Sequence, residues 1–535
     1  MPDGIALRPP SFIRPGRSVL LACLWLAAPN AQASTPVQGS IDLTAHPVGY
    51  IALILFSLAY LLVICEEFTH LRKSKPVILA AGIIWTLIAW QYNRNGLPQA
   101  ALAALQQTLL DFAELFLFLL AAMTYVNALD ERRVFAALRS RLAHTRCSYR
   151  LLFWVTGIIA FFLSPLIDNL TTALVMCSVI LTVGKENTRF VKPACINIVV
   201  AVNAGGAFSP FGDITTLMVW QKNLVEIDAF FLLFIPSLVN FLVPALCMHA
   251  FVPIGTPHSD GKPASIRRGG IVIILLLAAT IATAVGIHST LHLPPMLGMM
   301  TGLAYLQFYG YYLKKTHRKR TTRIPASYGT IDDLQPVDED DRPFDVYHRL
   351  ARAEWDTLLF FYGVVLCVGG LGFIGYLGRI SESMYVGLGA TTANILVGVL
   401  SSVVDNIPVM FAVLSMNPDM PLGEWLLVTL TAGVGGSLLS IGSAAGVALM
   451  GQARGSYTFF SHLKWTPAIA LGYAASIAVH MWLNANTWYP SHNPAQLPGH
   501  STAVTVPSHA VPVIGHMALQ RPANRTEDGM GLRPK

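Results

Sequence analysis

Long apolar stretches separated by short polar loops run from about residue 47 to residue 485. A helix needs about 20 apolar residues to cross a bilayer, and stretches of that length recur in both halves of the chain. The pattern therefore predicts an all-α polytopic membrane protein. The predicted single crossings are 47–65, 76–92, 101–129, 227–252, 270–287, 294–312, 356–376 and 465–484.

Two apolar stretches, 151–184 and 385–417, are too long for one crossing and too short for two. Each is interrupted near its middle by a short segment that ends in Asp-Asn, at 164–169 and 401–406. Non-helical backbone at membrane depth persists only where it is buried in protein or faces water. Each stretch therefore predicts a re-entrant hairpin that enters and leaves the membrane on one side.

Two further stretches, 193–220 and 425–451, predict broken transmembrane helices. Glycine and proline disfavour a continuous helix, and these stretches carry the pairs Gly205-Gly206 and Gly435-Gly436. The motif Gly212-Asp213 follows the first pair at the spacing with which Gly442-Ser443 follows the second. The segments 164–169 and 401–406 align in the same way, so the two halves are predicted to be repeats.

Charges beside the hairpins place the repeats in opposite orientations. Cytoplasmic loops are enriched in Lys and Arg, and both flanks of 151–184 are basic, which predicts that this hairpin enters from the cytoplasm. The stretch 385–417 is flanked by Arg379 on one side and by Asp419 and Glu424 on the other, which predicts periplasmic ends. Inverted repeats with interrupted helices in matching positions are typical of transporters with a site near the midplane.

The remaining segments complete the predicted domain organisation. In residues 1–33, Arg14 and Arg17 precede an apolar run and an A-x-A motif, which predicts a signal peptide, with an uncleaved first helix as the alternative. Residues 313–353 predict a cytoplasmic linker between transmembrane halves 47–312 and 354–485. The Pro-, Ala- and His-rich residues 486–535 predict a disordered periplasmic tail.

Composition supports a membrane protein. Charged residues make up 12% of the chain and hydrophobic residues 54%, whereas average soluble domains carry about 25% charged residues. The net charge of +7 lies in short loops between apolar runs, so it does not indicate nucleic-acid binding. The seven cysteines contain no CxxC pair, which argues against a disulfide framework or a cysteine metal site.

Ionisable residues in apolar stretches are costly, at roughly 3 kcal/mol each on insertion scales, and usually functional. The carboxylates of this kind are Glu114, Asp168, Asp213, Asp356 and Asp405. Side-chain oxygens that could join them around a hard cation belong to Asn169, Asn203, Asn406, Ser440 and Ser443. A carboxylate that binds Na⁺ can instead take a proton, so we expect Na⁺ at Asp168 and Asp405. Helix capping by these two residues is the alternative, as is an interfacial role for Glu114 and Asp356.

Four motifs carry a family resemblance: SPLIDNLTTAL, NAGGAFSPFGDITTLMVW, SVVDNIPVMFA and GGSLLSIGSAAGVALMG. At these motifs the sequence resembles the NhaD family of sodium/proton antiporters, within the ion transporter superfamily. The resemblance implies exchange of Na⁺ or Li⁺ for H⁺ by alternating access, with a role in pH homeostasis, in the bacterial inner membrane. It places the family's polar membrane residues on Glu114, Asp168, Asn169, Asn203, Asp213, Thr215, Thr216, Asp356, Asn406, Ser440 and Ser443.

The expected partners are therefore monovalent cations, protons and the lipid bilayer, with no nucleic acid and no cofactor beyond the transported ions. Whether the protein forms a homodimer is left open by the sequence.

One rival function is a sodium-coupled symporter of an organic or oxo-anion from the same superfamily, but an Asp at both hairpin tips would repel an anion. The other is an intramembrane aspartyl protease, which needs a GxGD-like motif where this chain has Pro210-Phe211-Gly212-Asp213.

Overall fold

The computed structural model describes residues 41–69, 71–144, 148–184, 187–256, 264–321 and 354–488. The predicted signal peptide, the linker from residue 322 to 353 and the tail from residue 489 lie outside the described residues. Every regular element in the described residues is helical.

The first half contains eleven of the helices described here. They are α1 (Pro47–Ile64), α2 (Ser74–Arg94), α3 (Pro98–Glu131), α4 (Val134–His144), α5 (Tyr149–Leu163), α6 (Asn169–Gly184), α7 (Thr188–Gly206), α8 (Ile214–Gln221), α9 (Phe234–His249), α10 (Gly270–Leu291) and α11 (Pro295–Thr321). A short helical turn, Glu66–Thr69, follows α1, and a 3₁₀ turn, Ala229–Leu233, leads into α9.

The second half contains six longer helices. They are α12 (Trp355–Ile374), α13 (Ala390–Ser401), α14 (Asn406–Met416), α15 (Leu422–Gly435), α16 (Ala444–Gln452) and α17 (Thr466–Leu483). Short helical pieces lie between and after them: Tyr376–Ser381, the π-helical Glu382–Val386, Phe459–Leu463 and the 3₁₀ turn Ala485–Trp488.

By length and composition, seven helices of the described chain could cross a membrane, or eight if one bent pair counts as a span. The bent pair is Tyr376–Val386 with Ala390–Ser401, at an angle of 120°. The helices on either side of the Asp-Asn motifs, α5, α6, α13 and α14, have only 11 to 16 residues. The prediction of an all-α polytopic membrane protein is confirmed.

Helix breaks occur at each of the four positions marked by Gly, Pro or Asp-Asn, at 164–168, 207–213, 402–405 and 436–443. Side chains at the breaks cap the helices that follow. Asp213 precedes α8 and accepts a hydrogen bond from the Thr215 amide, and Ser443 precedes α16 and accepts one from the Gly446 amide. Capping oxygens satisfy amides that have no partner in the first helical turn, so the sequence both ends one helix and starts the next.

Three boundaries differ from the sequence prediction. The linker is predicted to begin at 313, but α11 continues to Thr321, because lysine and arginine are good helix formers. The Arg-rich segment after α3 forms α4, for the same reason. The first arm of the stretch 385–417 begins at Ala390, because Glu382–Val386 forms a π-helical turn before Gly389 adopts a positive φ of 83°.

Helix α2 packs along α12, and polar contacts lie at both ends of this pair. Ser74 Oγ donates to Asp356 Oδ1 at 2.5 Å where both helices begin. Beyond the C-terminal end of α12, Arg379 Nη2 pairs with Asp42 Oδ2 at 3.1 Å. The two contacts mark opposite ends of α12, so Asp42 and Arg379 share one end of the molecule and Ser74 lies at the other.

Candidate ion-binding site

The Asp213 carboxylate lies between the two Asp-Asn motifs. Asn169 Nδ2 donates to Asp213 Oδ2 at 2.9 Å, and Asn406 Nδ2 donates to Oδ1 and Oδ2 at 3.2 and 3.1 Å. The Thr215 amide donates to Oδ1 at 3.1 Å. Asp213 is only 6% exposed. This buried carboxylate, which lies at the break of α7–α8, therefore contacts both Asp-Asn motifs.

Asn169 is itself held in place by the first break. Ser164 Oγ lies 2.5 Å from Asn169 Oδ1 and 2.8 Å from the Val202 carbonyl oxygen, so its single hydroxyl proton is shared between these two acceptors. The amide group of Asn169 is therefore oriented from its oxygen side by Ser164 and presents its nitrogen to Asp213. Ser164 is not among the predicted site residues, although its place in the repeated segment 164–169 was a signal for it.

The two tip aspartates differ in their partners. Asp168 Oδ1 accepts from the Thr171 amide and Oδ2 from Thr171 Oγ1, both at 2.8 Å, which is the geometry of a helix cap for α6. Asp405 Oδ1 is buried without a hydrogen-bond partner in the described structure. Capping thus accounts for the position of Asp168, whereas nothing described satisfies one oxygen of Asp405.

Several buried polar atoms near these residues also lack partners within the described ranges. Both amide atoms of Asn203 are unpaired, and so are the hydroxyls of Thr215 and Ser440. All three residues are 0% exposed. Leaving such groups unsatisfied costs about 1–3 kcal/mol each, so a group that supplies partners, such as an ion with its water, would stabilise this region.

A cavity of about 140 Å³ connects the two motifs. Its wall includes seven predicted site residues: Asp168, Asn169, Asn203, Asp213, Asp405, Asn406 and Ser443. Lys73 and Glu354, at the starts of α2 and α12, line it as well. The cavity therefore extends from those helix starts to the breaks, and the sequence analysis did not include Lys73 or Glu354 in the site.

The other predicted residues lie elsewhere, as far as the described chain shows. Glu114 lines a separate small pocket with Asp111 and Lys222. In this pocket Lys222 Nζ pairs with Asp111 Oδ2 at 2.8 Å. Asp356 is hydrogen-bonded to Ser74 as described above. The Thr216 hydroxyl donates to the Ser209 and Asp213 carbonyls at 2.8 and 2.7 Å, so it stabilises the break at 207–213.

Glycine permits close helix contact at the breaks. A Cβ atom on Gly205 would overlap the Phe161 carbonyl, and one on Gly435 would overlap the Gly398 carbonyl. A Cβ atom on Gly206 would lie 2.5 Å from Asn169 Oδ1, and one on Gly436 would lie 2.8 Å from the Gly442 carbonyl oxygen. Gly205 therefore brings α7 against α5, and Gly435 brings α15 against α13.

An equivalent serine–carbonyl contact occurs in each half. Ser164 Oγ donates to the Val202 carbonyl at 2.8 Å, and Ser401 Oγ donates to the Ala432 carbonyl at 2.8 Å. Each serine lies at the C-terminal end of the helix that precedes the Asp-Asn motif, and each carbonyl lies three residues before the first glycine of the Gly-Gly pair. The aligned sequence segments therefore make equivalent tertiary contacts.

Comparison with known proteins places this site in a family. A family profile described as "Citrate transporter" matches residues 43–435. The Na(+)/H(+) antiporter NhaD of Alkalimonas amylolytica is 57% identical over 471 residues, which is 88% of this chain and 97% of the relative. The NhaD antiporter of Vibrio cholerae is also 57% identical, over 88% of this chain and 98% of the relative.

A more distant relative is also named a sodium/proton antiporter. Sodium/proton antiporter 1 of Arabidopsis thaliana is 30% identical over 444 residues, which is 80% of this chain and 71% of the relative. The profile match at 43–435 includes both Asp-Asn motifs and the first broken helix, and the bacterial relatives are matched over nearly their whole length. This chain therefore belongs to the NhaD family of sodium/proton antiporters, among the transporters that the citrate-transporter profile describes.

Proposed function

We propose that this protein is a secondary transporter that exchanges Na⁺ or Li⁺ for H⁺ across the bacterial inner membrane. The observation that carries the proposal is the buried Asp213 carboxylate held by Asn169 and Asn406 in a cavity that Asp168 and Asp405 also line. The relatives with 55–58% identity bear the name sodium/proton antiporter. Such proteins are secondary transporters and not enzymes.

Competition for the buried carboxylates is the simplest exchange mechanism. A carboxylate away from water is stable only when it is paired, hydrogen-bonded or neutralised, and either a proton or a sodium ion neutralises it. The unpaired oxygens of Asn203, Ser440 and Asp405 can serve a hard cation, which favours oxygen ligands. We therefore assign Na⁺ and H⁺ to the same carboxylates at different steps of the cycle, with Asp213 added to Asp168 and Asp405.

The helix breaks add electrostatic support for a cation. The C-terminal ends of α5, α7, α13 and α15 lie at the breaks, at Leu163, Gly206, Ser401 and Gly435. The carbonyl end of a helix carries about half a negative elementary charge. The amide ends of α6, α8 and α16 lie at the same breaks, but Asp168, Asp213 and Ser443 cap them. Discontinuous helices use carbonyl ends to coordinate cations in secondary transporters, so breaks with capped amide ends favour a cation over an anion.

The proposal includes two inverted repeats, each with a re-entrant hairpin at 151–184 or 385–417. The equivalent contacts of Ser164 and Ser401 support the repeat. Cross-contacts between the halves also correspond, since α8 packs on α14 and α16 packs on α6. The opposite flanking charges of the two stretches support the inversion.

A sodium-coupled symporter of an organic or oxo-anion is the alternative, and the description of the matching profile names citrate. The site argues against it, because three carboxylates, Asp168, Asp213 and Asp405, line the cavity. Bringing an anion beside them would add like-charge repulsion. Sodium uptake that depends on an added di- or tricarboxylate would favour the symporter.

The proposal is tested by proton flux in everted membrane vesicles. A proton gradient is established by respiration, and NaCl, LiCl and KCl are added in turn at one pH. The antiporter predicts that Na⁺ or Li⁺ dissipates the gradient and that vesicles without the protein do not respond. Equal responses in both kinds of vesicle, or a response only when citrate is present, would contradict it.

A further inference from the structure

The break between α15 and α16, residues 436–443, is held by residues outside the broken helix itself. His462 Nε2 lies 2.9 Å from the Ser437 carbonyl oxygen, and Thr466 Oγ1 donates to the Leu438 carbonyl at 2.8 Å. A carbonyl oxygen only accepts hydrogen bonds, so the proton of this contact is on His462 Nε2. Two consecutive carbonyls of the break are thus fixed by residues that follow α16.

The orientation of the His462 ring is set from its other side by a tyrosine. Tyr457 Oη lies 2.7 Å from His462 Nδ1, and the two residues are 1% and 0% exposed. They belong to the segment between α16 and α17, outside the membrane-spanning helices. Burial lowers the pKa of His462 to about 4, so the ring is neutral near pH 7. With Nε2 protonated, Nδ1 accepts from the tyrosine hydroxyl, and one tautomer and one ring orientation satisfy both contacts.

The corresponding break of the first half is held differently. Ser209 Oγ donates to the Pro165 carbonyl at 3.0 Å, and Thr216 Oγ1 donates to the Ser209 carbonyl at 2.8 Å. Both donors belong to the broken helix of that repeat. In the second half the positions that align with Ser209 and Thr216 are Leu439 and Gly446, which have no hydroxyl, and the buried hydroxyl of Ser440 has no partner among the described residues. The anchoring of the second break therefore depends on His462 and Thr466.

We propose that His462 is a positioning residue for sodium binding. Its bond to the Ser437 carbonyl sets the path of residues 436–443, and that path sets where the oxygens of Ser440 and Ser443 lie. The inference rests on the proposed function, in which those two serines contribute to the ion site. His462 itself does not line the cavity as the described residues form it.

The test compares apparent sodium affinity and maximal rate in vesicles at fixed pH. His462→Leu should weaken the apparent sodium affinity by roughly five- to tenfold, the equivalent of one lost hydrogen bond. His462→Gln, which keeps an N–H donor at the position of Nε2, should restore most of the affinity. Loss of maximal rate without a change in affinity in His462→Leu would overturn the proposal.

A matched control comes from the other end of α15. His480 Nε2 contacts the Gly423 carbonyl at 3.0 Å and His480 is also 0% exposed, so His480→Leu removes a similar buried bond away from the break. Its sodium affinity should stay at the wild-type value, and an equal shift in His480→Leu and His462→Leu would show only general destabilisation.

If His462→Leu does not accumulate in the membrane, Thr466→Val tests the same anchoring with a nearly isosteric change. It should weaken sodium affinity in the same direction, and wild-type affinity would overturn the proposal. Ser440→Ala separates this inference from the function on which it rests. Weakened affinity in Ser440→Ala together with wild-type affinity in His462→Leu contradicts only the positioning role. Wild-type affinity in Ser440→Ala contradicts the assignment of Ser440 to the ion site.

Discussion

Asn406 donates from Nδ2 to both carboxylate oxygens of Asp213, at 3.2 and 3.1 Å, across 193 residues of sequence. Asn406 begins α14 in the second half, and Asp213 caps α8 in the first half. The contact therefore ties the two halves together at a buried carboxylate. Protonation or cation binding at Asp213 would alter a bond between the halves, so we expect ion occupancy of this carboxylate to be coupled to their arrangement.

Removing the charge of Asp213 should abolish exchange. In Asp213→Asn the side chain keeps its shape but cannot titrate, and its amide nitrogen cannot accept from Asn169 or Asn406. We expect a loss of at least 100-fold in sodium-driven proton flux, or about 2.7 kcal/mol. The exposed Asp228 provides a control, since Asp228→Asn should transport normally. Measurable sodium-dependent flux in Asp213→Asn would contradict the role of this carboxylate.

Asp168 allows its charge to be separated from its capping role. Asparagine caps helix N-termini about as well as aspartate, so Asp168→Asn can keep the bond to the Thr171 amide while it removes the charge. We expect the variant to accumulate in the membrane with a thermal midpoint close to that of the wild type and to lose exchange. If Asp168→Asn transports normally while Asp168→Ala is unstable, Asp168 is only a helix cap.

Close packing at Gly205 and Gly435 should be required for a functional site. An alanine at either position would overlap a carbonyl of the neighbouring helix, and overpacking costs about 1–3 kcal/mol. We expect Gly205→Ala and Gly435→Ala to lower the thermal midpoint and to reduce transport. Gly82 and Gly286 have no neighbouring atom within 4 Å of a built Cβ, so Gly82→Ala and Gly286→Ala should match the wild type. Normal transport in the first two variants would place the critical contacts elsewhere.

The inverted arrangement predicts opposite sides for matching positions of the two repeats. Arg189 lies at the start of α7 and Asp419 lies just before α15, and both are exposed. In a background without other cysteines, a membrane-impermeant thiol reagent should label Arg189→Cys from the cytoplasm and Asp419→Cys from the periplasm. Labelling of both positions from the same side would rule out the inversion.

The sequence predicts helix breaks well because their signals are local. Glycine pairs, proline and capping residues act within a few positions of the backbone, so the breaks at 164–168 and 207–213 follow from the residues themselves. Helix α4 and the end of α11 were missed, because charged residues that form helices well are also typical of loops beside membranes.

The composition of the candidate site was less accessible from sequence. Asp213 was expected as one carboxylate among several, and its contact with Asn406 depends on the packing of helices far apart in the chain. Lys73 lies in a basic loop, and from the sequence such a loop predicts only which side of the membrane it faces. In the structure Lys73 lines the cavity. The contact of His462 with the Ser437 carbonyl spans 25 residues, and no sequence pattern marks it.

The most direct test of the account is the apparent sodium affinity of the wild-type protein measured across a range of pH in vesicles or proteoliposomes. If H⁺ and Na⁺ compete for the same carboxylates, lowering the pH should weaken the apparent sodium affinity while saturating sodium restores the rate. For one competing proton the affinity should fall by up to about tenfold for each pH unit, or about 1.4 kcal/mol. A sodium affinity that stays constant across pH while only the maximal rate changes would contradict competition at a shared site.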